Sequence, residues 1–212
     1  NLQPKHRAKA GHHRASFRSS GFQANQFQEF AKMHGTEAPS SWVQKWSHLA
    51  KPQSQVLDLA CGAGRHMQYL KSQGHHCTGV DRSAAALAEA AAHGRVLEAD
   101  IEGGPWPLSG QTFDVVVVTN YLWRPLMPRI LQSLASGGLL IYETFAAGHE
   151  KIGKPSRPDF LLNPGELLQT FASLHVVAYE NGYWPDAPKY VQRIAAVRQV
   201  NDSDRQFGLS CR

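Results

Sequence analysis

The stretch VLDLACGAGR, from Val56 to Arg65, is an apolar run that leads into a glycine-rich turn, and GVD follows at Gly79–Asp81. The pattern predicts a buried strand, a turn that opens a helix, and a second strand that ends on an acid. This order is typical of a nucleotide-type site. A dinucleotide-binding turn requires Gly-x-Gly-x-x-Gly for close approach to a pyrophosphate, but here Arg65-His66-Met67 occupies the place of the third glycine. The spacing therefore disfavours an NAD oxidoreductase.

Five segments of the chain occur in an order that resembles one enzyme family. They are the turn Asp58–Gly64, with Ala60 where glycine is commoner, then Gly79–Asp81, Glu98–Ile101, Phe113–Val118 and Ser136–Ile141. Together they resemble the motifs of class I S-adenosylmethionine-dependent methyltransferases, over roughly residues 40–198. An acid in the first strand also suits a cofactor that carries an ammonium and a sulfonium but no phosphate. S-adenosylmethionine is therefore the expected cofactor.

A narrower resemblance covers the segments after the fifth motif. Tyr142–Phe145, Pro158–Leu162 and Pro164–Leu168 are similar to a bacterial subgroup, the tellurite-resistance-type methyltransferases. This similarity implies a soft or anionic acceptor.

Alternating strand and helix patterns predict an α/β fold with right-handed crossovers. The family resemblance implies a Rossmann-like fold with a seven-stranded, mostly parallel sheet, an antiparallel last strand and helices on both faces. We expect a flexible basic arm over residues 1–20 and a helical cap or lid over 21–50. The cofactor-binding domain is expected over 51–198, followed by a C-terminal tail over 199–212. Strands are predicted near 55–60, 76–81, 95–99, 113–119, 137–145, 174–183 and 189–198, and helices near 41–49, 65–73, 83–93, 125–135 and 164–171.

Ligands of open parallel sheets bind beyond the carboxyl ends of the strands, where the strand order reverses. Asp81 there could accept both ribose hydroxyls, and Asp58 could face the methionine ammonium. Asp100 and Ile101 would flank the adenine, whose face Arg82 could cover. Cys61 could be a nucleophile, but no acid–base partner is evident and we interpret it as a small side chain in a crowded turn. The predicted cofactor-binding residues are Asp58, Ala60, Cys61, Gly62, Gly64, Asp81, Arg82, Asp100, Ile101 and Thr119.

The next group of residues concerns the site where the methyl acceptor binds. The segment from Thr119 to Pro125 is not the Asn/Asp-Pro-Pro-Tyr/Phe motif of amino-directed nucleic-acid methyltransferases, so base N-methylation is disfavoured. Asn120 and Tyr121 are predicted beside the transferred methyl group, and His149, in a long loop, is the candidate base. Arg124 could bind an anionic acceptor or have a structural role. Five aromatic residues could wall an apolar pocket or belong to the core: Trp123, Phe145, Phe160, Tyr183 and Trp184.

Charge is uneven along the chain. The formal net charge is +5, and the first 28 residues contain five basic residues and no acid, so the rest is balanced. A basic arm can bind nucleic acid, although a solvated tail is the simpler interpretation. Three cysteines, Cys61, Cys77 and Cys211, form neither a disulfide framework nor a metal-binding spacing, so we expect no metal site and a cytoplasmic location. No apolar run is long enough to predict a membrane span.

The leading hypothesis is transfer of a methyl group to a small-molecule acceptor, with an anionic acceptor as one option. A nucleic-acid methyltransferase that uses the basic arm is the second hypothesis, and a non-catalytic module that binds S-adenosylmethionine is the third. The oligomeric state is not predicted.

Overall fold

The computed structural model describes residues 38–199, and in this part of the chain seven strands form one sheet. The sheet order is β3-β2-β1-β4-β5-β7-β6, so the order reverses between β1 and β4. Strands β1 to β5 pair in parallel, and β7 is antiparallel to both β5 and β6. The predicted sheet with its antiparallel last strand is confirmed. The strands are β1 (Gln55–Leu59), β2 (His76–Asp81), β3 (Arg95–Glu98), β4 (Phe113–Thr119), β5 (Leu134–Phe145), β6 (His175–Trp184) and β7 (Lys189–Val197).

Within residues 38–199, five α-helices lie between or before these strands, and two of them have serine N-caps. The Ser40 side chain accepts a hydrogen bond from the Trp42 N–H, and the Ser83 side chain accepts one from the Ala86 N–H. Such caps satisfy backbone donors that a helix leaves free at its first turn. The helices are α1 (Ser41–Trp46), α2 (Arg65–Ser72), α3 (Ala84–Ala90), α4 (Met127–Gln132) and α5 (Glu166–Thr170), with 3₁₀ turns at Ser47–Leu49, Ala91–His93, Arg124–Leu126, His149–Lys151 and Pro158–Phe160.

Helices cover both faces of the sheet, as the resemblance implies. Alternate residues of a strand point to opposite faces, so Val56 packs with α1, α2 and α3, whereas Leu57 packs with α4 and α5. The run Val115–Val118 is fully buried, two side chains on each face. The same alternation places Asp58, Thr119 and Glu143 on the face of α1 and α2, near the carboxyl ends of their strands.

Some boundaries differ from the predicted ones. Strand β5 begins at Leu134, before the glycines that suggested a turn, because the pairing register with β4 shifts between Phe113 and Val115. Helix α5 begins at Glu166, and Gly165, with a φ of 78°, is its N-cap. The predicted arm over 1–20, the part of the predicted helical cap or lid before residue 38, and all but the first residue of the C-terminal tail lie outside the described residues.

Within residues 38–199, no helix has both the length and the hydropathy needed to cross a membrane.

Candidate functional site

The glycine turn after β1 contains Gly62, which faces free space, and Gly64, which is tightly packed. Gly62 and Gly64 have φ values of 55° and 81°, in the left-handed region that favours glycine. A Cβ added to Gly62 would meet no atom within 4 Å, whereas one added to Gly64 would lie 2.9 Å from the Cβ of Ala90. Gly64 therefore lets α2 pack on α3, and Gly62 leaves room for a ligand to approach the backbone.

Asp81, the last residue of β2, holds this turn in place. Its Oδ2 accepts the N–H of Gly62 at 2.9 Å, and its Oδ1 accepts the N–H of Ser83 at 2.9 Å. A carboxylate oxygen has more than one lone pair, so acceptor capacity remains for a further donor. The predicted residue thus lies beside the glycine turn.

The chain turns in the same way after β1 and after β4, the two strands between which the sheet order reverses. Ala60 and Asn120 directly follow these strands, and each has a φ of 53°. Left-handed backbone at non-glycine residues costs energy and is concentrated at functional sites. The Asn120 N–H donates to the carbonyl oxygen of Glu143 at 2.9 Å, which ties this turn to β5.

Asp58 is a buried acid whose carboxylate lacks a complete set of partners. It is 1% exposed, and its Oδ2 makes no hydrogen bond. Burial raises the pKa of Asp58 to about 8, with the Arg65 guanidinium opposing the rise and the Asp81 carboxylate adding to it. Perturbed acids of this kind are concentrated at functional sites.

His66, in the first turn of α2, lies next to Asp58. Its Nδ1 is 3.8 Å from the Asp58 Oδ2 and 3.5 Å from the Thr119 Oγ1, and its Nε2 accepts the Ser40 N–H at 3.2 Å. Burial, with the nearby Arg65 charge, lowers the pKa of His66 to about 3, so the ring is neutral. Predicted Thr119 thus lies beside a histidine that the sequence did not single out.

The predicted adenine-side residues follow β2 and β3. The Asp100 Oδ1 accepts the N–H groups of Glu102 and Gly103 at 2.9 and 3.2 Å, and these bonds lower the pKa of Asp100. Ile101 is partly buried against the core under α4 and α5, and Arg82 is exposed. These residues lie at the same edge of the sheet as Asp81, because Ala99 donates its N–H to the Asp81 carbonyl oxygen at 3.0 Å.

Cys61 is buried, and its thiol donates to the carbonyl oxygen of Gly62 at 3.6 Å. Burial raises the pKa of Cys61 above its usual range, with the Asp58 and Asp81 charges adding to the rise. A nucleophilic cysteine needs a lowered pKa, so these surroundings favour the interpretation of Cys61 as a packing residue.

His149 is held by backbone groups on both sides of its ring. The side chain is 5% exposed, its Nε2 lies 3.0 Å from the Lys154 carbonyl oxygen, and its Nδ1 accepts the Tyr190 N–H at 3.4 Å. The ring also stacks on Phe145 at 4.5 Å. With both ring nitrogens engaged, the geometry favours a structural role for His149 over the predicted role as a base.

Tyr121 and Arg124, which follow Asn120, make contacts on the face of α4 and α5. Burial raises the pKa of Tyr121, and the Glu102 carboxylate adds to the rise. Arg124 forms a bidentate ion pair with Glu166, at 2.6 Å from Nε to Oε1 and 2.9 Å from Nη2 to Oε2. Of the two roles considered for Arg124, the structural one matches these contacts.

A row of polar side chains crosses the sheet from β4 to β6 on the face of α1. Thr119 pairs with Glu143, Glu143 with Arg193, and Arg193 with Glu180. Glu143 and Arg193 are 1% and 6% exposed, respectively, and Glu180 is exposed. Opposite charges at neighbouring strand positions stabilise one another, and the row links Thr119 to the β6–β7 hairpin.

Glu143 is paired with two cations of β7 and with the N-cap serine of α1. Its Oε1 lies 3.3 Å from the Lys189 Nζ and accepts the Ser40 hydroxyl at 3.2 Å, and its Oε2 lies 3.3 Å from the Arg193 Nη1. Ser40 therefore contacts both His66 and Glu143, residues of α2 and β5.

A groove of about 390 Å³ lies between α1 and the β6–β7 hairpin. The Arg193 guanidinium, on its wall, lies 4.0 Å from the Trp184 ring and 5.5 Å from the Trp42 ring. Of the five aromatic residues predicted to wall a pocket, only Tyr183 and Trp184 line it. Trp123 packs on the opposite core, Phe145 on His149 and Phe160 on Arg157.

Some residues that the sequence did not indicate lie near the carboxyl edge of the sheet, because they contact residues that are far away along the chain. His66 carried one signal, its position directly after the glycine turn, but Ser40 and Arg193 had none beyond helix capping and charge.

Comparison with protein families gives a match that covers the glycine turn. A family model described as "Methyltransferase domain" matches residues 56–138, from β1 into β5. No curated protein matches the chain.

Solved structures with this fold include TehB from Haemophilus influenzae, with a TM-score of 0.65 and 19% identity over 80% of this chain. The match covers 66% of TehB. A TehB-like SAM-dependent methyltransferase from Corynebacterium glutamicum has a TM-score of 0.55 and 18% identity, over 84% of this chain and 96% of that one. The glycopeptide N-methyltransferase MtfA, complexed with S-adenosyl-L-homocysteine, has a TM-score of 0.56 and 16% identity, over 77% of this chain and 91% of that one.

The residues at the carboxyl edge of the sheet fit S-adenosylmethionine. The space in front of Gly62 admits a ligand to the backbone, and the unbonded Oδ2 of Asp58 is a buried acceptor that suits an ammonium group. The family match, the fold and this fit agree with one another. Residues 56–138 match the methyltransferase-domain family model, and the chain is similar in fold to S-adenosylmethionine-dependent methyltransferases of the TehB type.

Proposed function

We propose that this protein transfers the methyl group of S-adenosylmethionine to a small, anionic acceptor that binds in the groove between α1 and the β6–β7 hairpin. The observation that carries the proposal is an aromatic groove that contains Lys45 and is joined to the cofactor edge by the polar row from Thr119 to Arg193.

The groove has the size and the side chains that such an acceptor requires. Its volume of about 390 Å³ lies within the range of small-molecule sites. The partly exposed ring of Trp184 offers a flat apolar surface, and the exposed Lys45 ammonium suits a carboxylate or another oxyanion. Arg193, by contrast, is buried and already paired with Glu143 and Glu180. The Lys45 Nζ lies 5.9 Å from the Trp42 ring, so cation and aromatic surface are adjacent.

The position of the groove also suits transfer from the cofactor edge. Arg193 is two strands from Thr119, and neighbouring strands are about 4.8 Å apart, so about 10 Å separates them across the sheet. A second groove, of about 540 Å³ and lined by His75, His93 and Arg95, lies at the amino ends of the strands. Ligands of open parallel sheets bind at the carboxyl ends, so the smaller groove is the better acceptor site.

In this proposal the predicted cofactor residues keep their roles. Asp58 faces the ammonium group, Gly62 and Gly64 admit the methionyl part, and Asp81 accepts the ribose hydroxyls. Asp100 receives the exocyclic amine of the adenine. The remaining members of the set are Ala60, Cys61, Arg82, Ile101 and Thr119.

S-adenosylmethionine, when bound, supplies a methyl group that a sulfonium has already activated. The protein then has to align the acceptor and exclude water. Asn120, fixed by its bond to the Glu143 carbonyl oxygen, is a positioning residue, and Tyr121 lies next to it. An acceptor atom that is already deprotonated needs no base, which fits a site where both nitrogens of His149 are engaged.

The test is a screen of carboxylates, other oxyanions, amines and neutral compounds, read out as formation of S-adenosylhomocysteine. For an acceptor that is turned over, we expect Trp184→Ala and Lys45→Gln to raise KM by about ten-fold, equivalent to one lost hydrogen bond or stacking contact. The matched control is Lys51→Gln, an exposed lysine outside the groove. Turnover of amines alone, or an unchanged KM in both groove variants, would contradict the proposal.

Nucleic-acid methylation remains the alternative hypothesis, and the basic arm on which it depends lies outside the described residues. RNA binding that falls steeply with salt, and is lost when residues 1–20 are deleted, would favour it over the groove proposal.

A further inference from the structure

His66 has a defined tautomer. The backbone N–H of Ser40 can only donate, so the His66 Nε2, 3.2 Å away, must be the acceptor. The ring is neutral because burial lowers the pKa of His66 to about 3. A neutral imidazole carries one proton, and that proton is therefore on Nδ1.

The Nδ1–H group lies near two oxygens of the site, and the closer one, the Thr119 Oγ1, accepts its hydrogen bond. The Thr119 Oγ1 is 3.5 Å away and the Asp58 Oδ2 is 3.8 Å away. The second distance is beyond a hydrogen bond, yet a movement of less than 1 Å would form one. Asp58 Oδ2 is otherwise without a partner among the described residues, so this N–H is the donor best placed to reach it.

Other charged and titratable groups also face Asp58. Arg65 on α2 favours its ionised form, whereas Asp81 at the end of β2 disfavours it. The thiols of Cys61 and Cys77 feel the Asp58 charge but are themselves neutral, since burial raises the pKa of both. His66, being neutral, contributes a dipole rather than a charge, and a donor aimed at a carboxylate favours the ionised form.

We propose that His66 is a positioning residue for Asp58: when the ammonium group of the cofactor binds, the His66 Nδ1–H stabilises the ionised form of the Asp58 carboxylate, while the Ser40 N–H fixes the ring. The inference rests on the proposed role of Asp58 in cofactor binding. It assigns the chain before α1 a part in the site, because Ser40 sets the tautomer that presents the donor.

Two substitutions test the roles of the two ring nitrogens of His66 separately. The amide of His66→Asn reaches the position of Nδ1 and can still donate to Asp58, whereas the amide of His66→Gln reaches the position of Nε2 and can only serve Ser40. His75→Asn is the matched control, since His75 is also buried but lies at the amino ends of the strands. The measurement is the Kd of S-adenosylhomocysteine by calorimetry from pH 6 to 9.5.

We expect His66→Gln to weaken binding by about ten-fold or more at neutral pH, the effect of one lost hydrogen bond to a charged group. Its binding should recover at higher pH, because loss of the donor raises the pKa of Asp58 further. His66→Asn should rescue both the affinity and the pH profile, and His75→Asn should match the wild type. The titration of the ligand's own amine is common to all variants and cancels from the comparison.

Equal pH profiles for His66→Gln and His66→Asn would overturn the inference, even if both variants bind weakly. Should either variant fail to fold, ¹⁵N chemical shifts of His66 in the ligand-free wild type decide. Protonation at Nδ1 supports the inference and protonation at Nε2 overturns it. If the wild type itself does not bind S-adenosylhomocysteine, the cofactor role of Asp58 fails first, and the inference fails with it.

Discussion

The carboxylate of Asp81 accepts the backbone N–H of Gly62 at 2.9 Å, which joins the end of β2 to the glycine turn that follows β1. The same carboxylate accepts the Ser83 N–H at the start of α3. One side chain thus fixes the two turns on either side of the space in front of Gly62. The cofactor role proposed for Asp81 depends on this fixed position.

Asp81→Ala should weaken binding of S-adenosylmethionine by about 1–3 kcal/mol, because charge-assisted hydrogen bonds to the ribose are lost. Calorimetry measures the change. Asp114→Ala is the matched control: Asp114 also accepts a backbone N–H, from Gln55 at 2.9 Å, but at the amino ends of the strands. If the two variants bind the cofactor equally well, Asp81 has no direct role in the site.

Asp58→Asn should make the ligand-free protein more stable at alkaline pH. The pKa of Asp58 is about 8 in the folded protein and has a usual value of 3.8, so between these values the folded state holds a proton that the unfolded state has lost. Stability of the wild type therefore falls as pH rises from about 4 to 8, by an amount on the order of a few kcal/mol. An amide does not titrate, so the stability of the variant does not fall with pH for this reason.

Urea denaturation at pH 5 and pH 9 measures the effect. The free energy of unfolding should fall less between these pH values in Asp58→Asn than in the wild type, while affinity for S-adenosylmethionine decreases. A variant that is less stable than the wild type at pH 9 would show that the carboxylate is not buried in the way described.

Gly64→Ala should mainly reduce stability, whereas Gly62→Ala should mainly reduce cofactor binding. A Cβ at Gly64 would lie 2.9 Å from Ala90 with a φ of 81°, so we expect a loss of about 2–4 kcal/mol in stability from overpacking and strain. A Cβ at Gly62 meets no atom within 4 Å, so only about 1 kcal/mol of strain is expected, while the methyl group projects into the proposed cofactor space. Thermal unfolding and calorimetry separate the two, and a stable Gly62→Ala that binds the cofactor normally would contradict the placement.

Arg124→Lys should destabilise the fold by about 1–3 kcal/mol without changing cofactor affinity. Lysine cannot replace the bidentate pair with Glu166 or the bonds that the guanidinium donates to the carbonyl oxygens of Asp159 and Leu161, each at 2.9 Å. Arg129→Lys, at an exposed position on α4, is the control and should stay within about 0.5 kcal/mol of the wild type. A stable Arg124→Lys that has lost affinity for an anionic acceptor would instead favour the ligand-binding role.

The sheet was predictable because its signals are local. A buried β-branched run such as Val115–Val118, a serine before a helix such as Ser83, and a glycine turn after an apolar strand each specify their own segment. The start of β5 was harder to predict from the sequence. Gly137 and Gly138 indicate a turn, whereas in the structure both lie within the strand, where the pairing register with β4 shifts after Phe113.

The candidate site was predictable only in part, for a related reason. Asp58, Asp81 and Asn120 follow from the rule that parallel strands end at one edge. The contacts of Ser40 with His66 and Glu143 span 26 and 103 residues, and no sequence pattern pairs them. His149 shows the converse: a histidine in a loop suggests catalysis, but its partners, at Lys154 and Tyr190, are backbone groups that the sequence does not reveal.

Calorimetric titration of the full chain with S-adenosylmethionine and S-adenosylhomocysteine, with NAD as control, tests the central claim most directly. We expect micromolar binding of both sulfur compounds with about 1:1 stoichiometry and no binding of NAD. Binding of NAD, or binding of none of the three by folded protein, would contradict it.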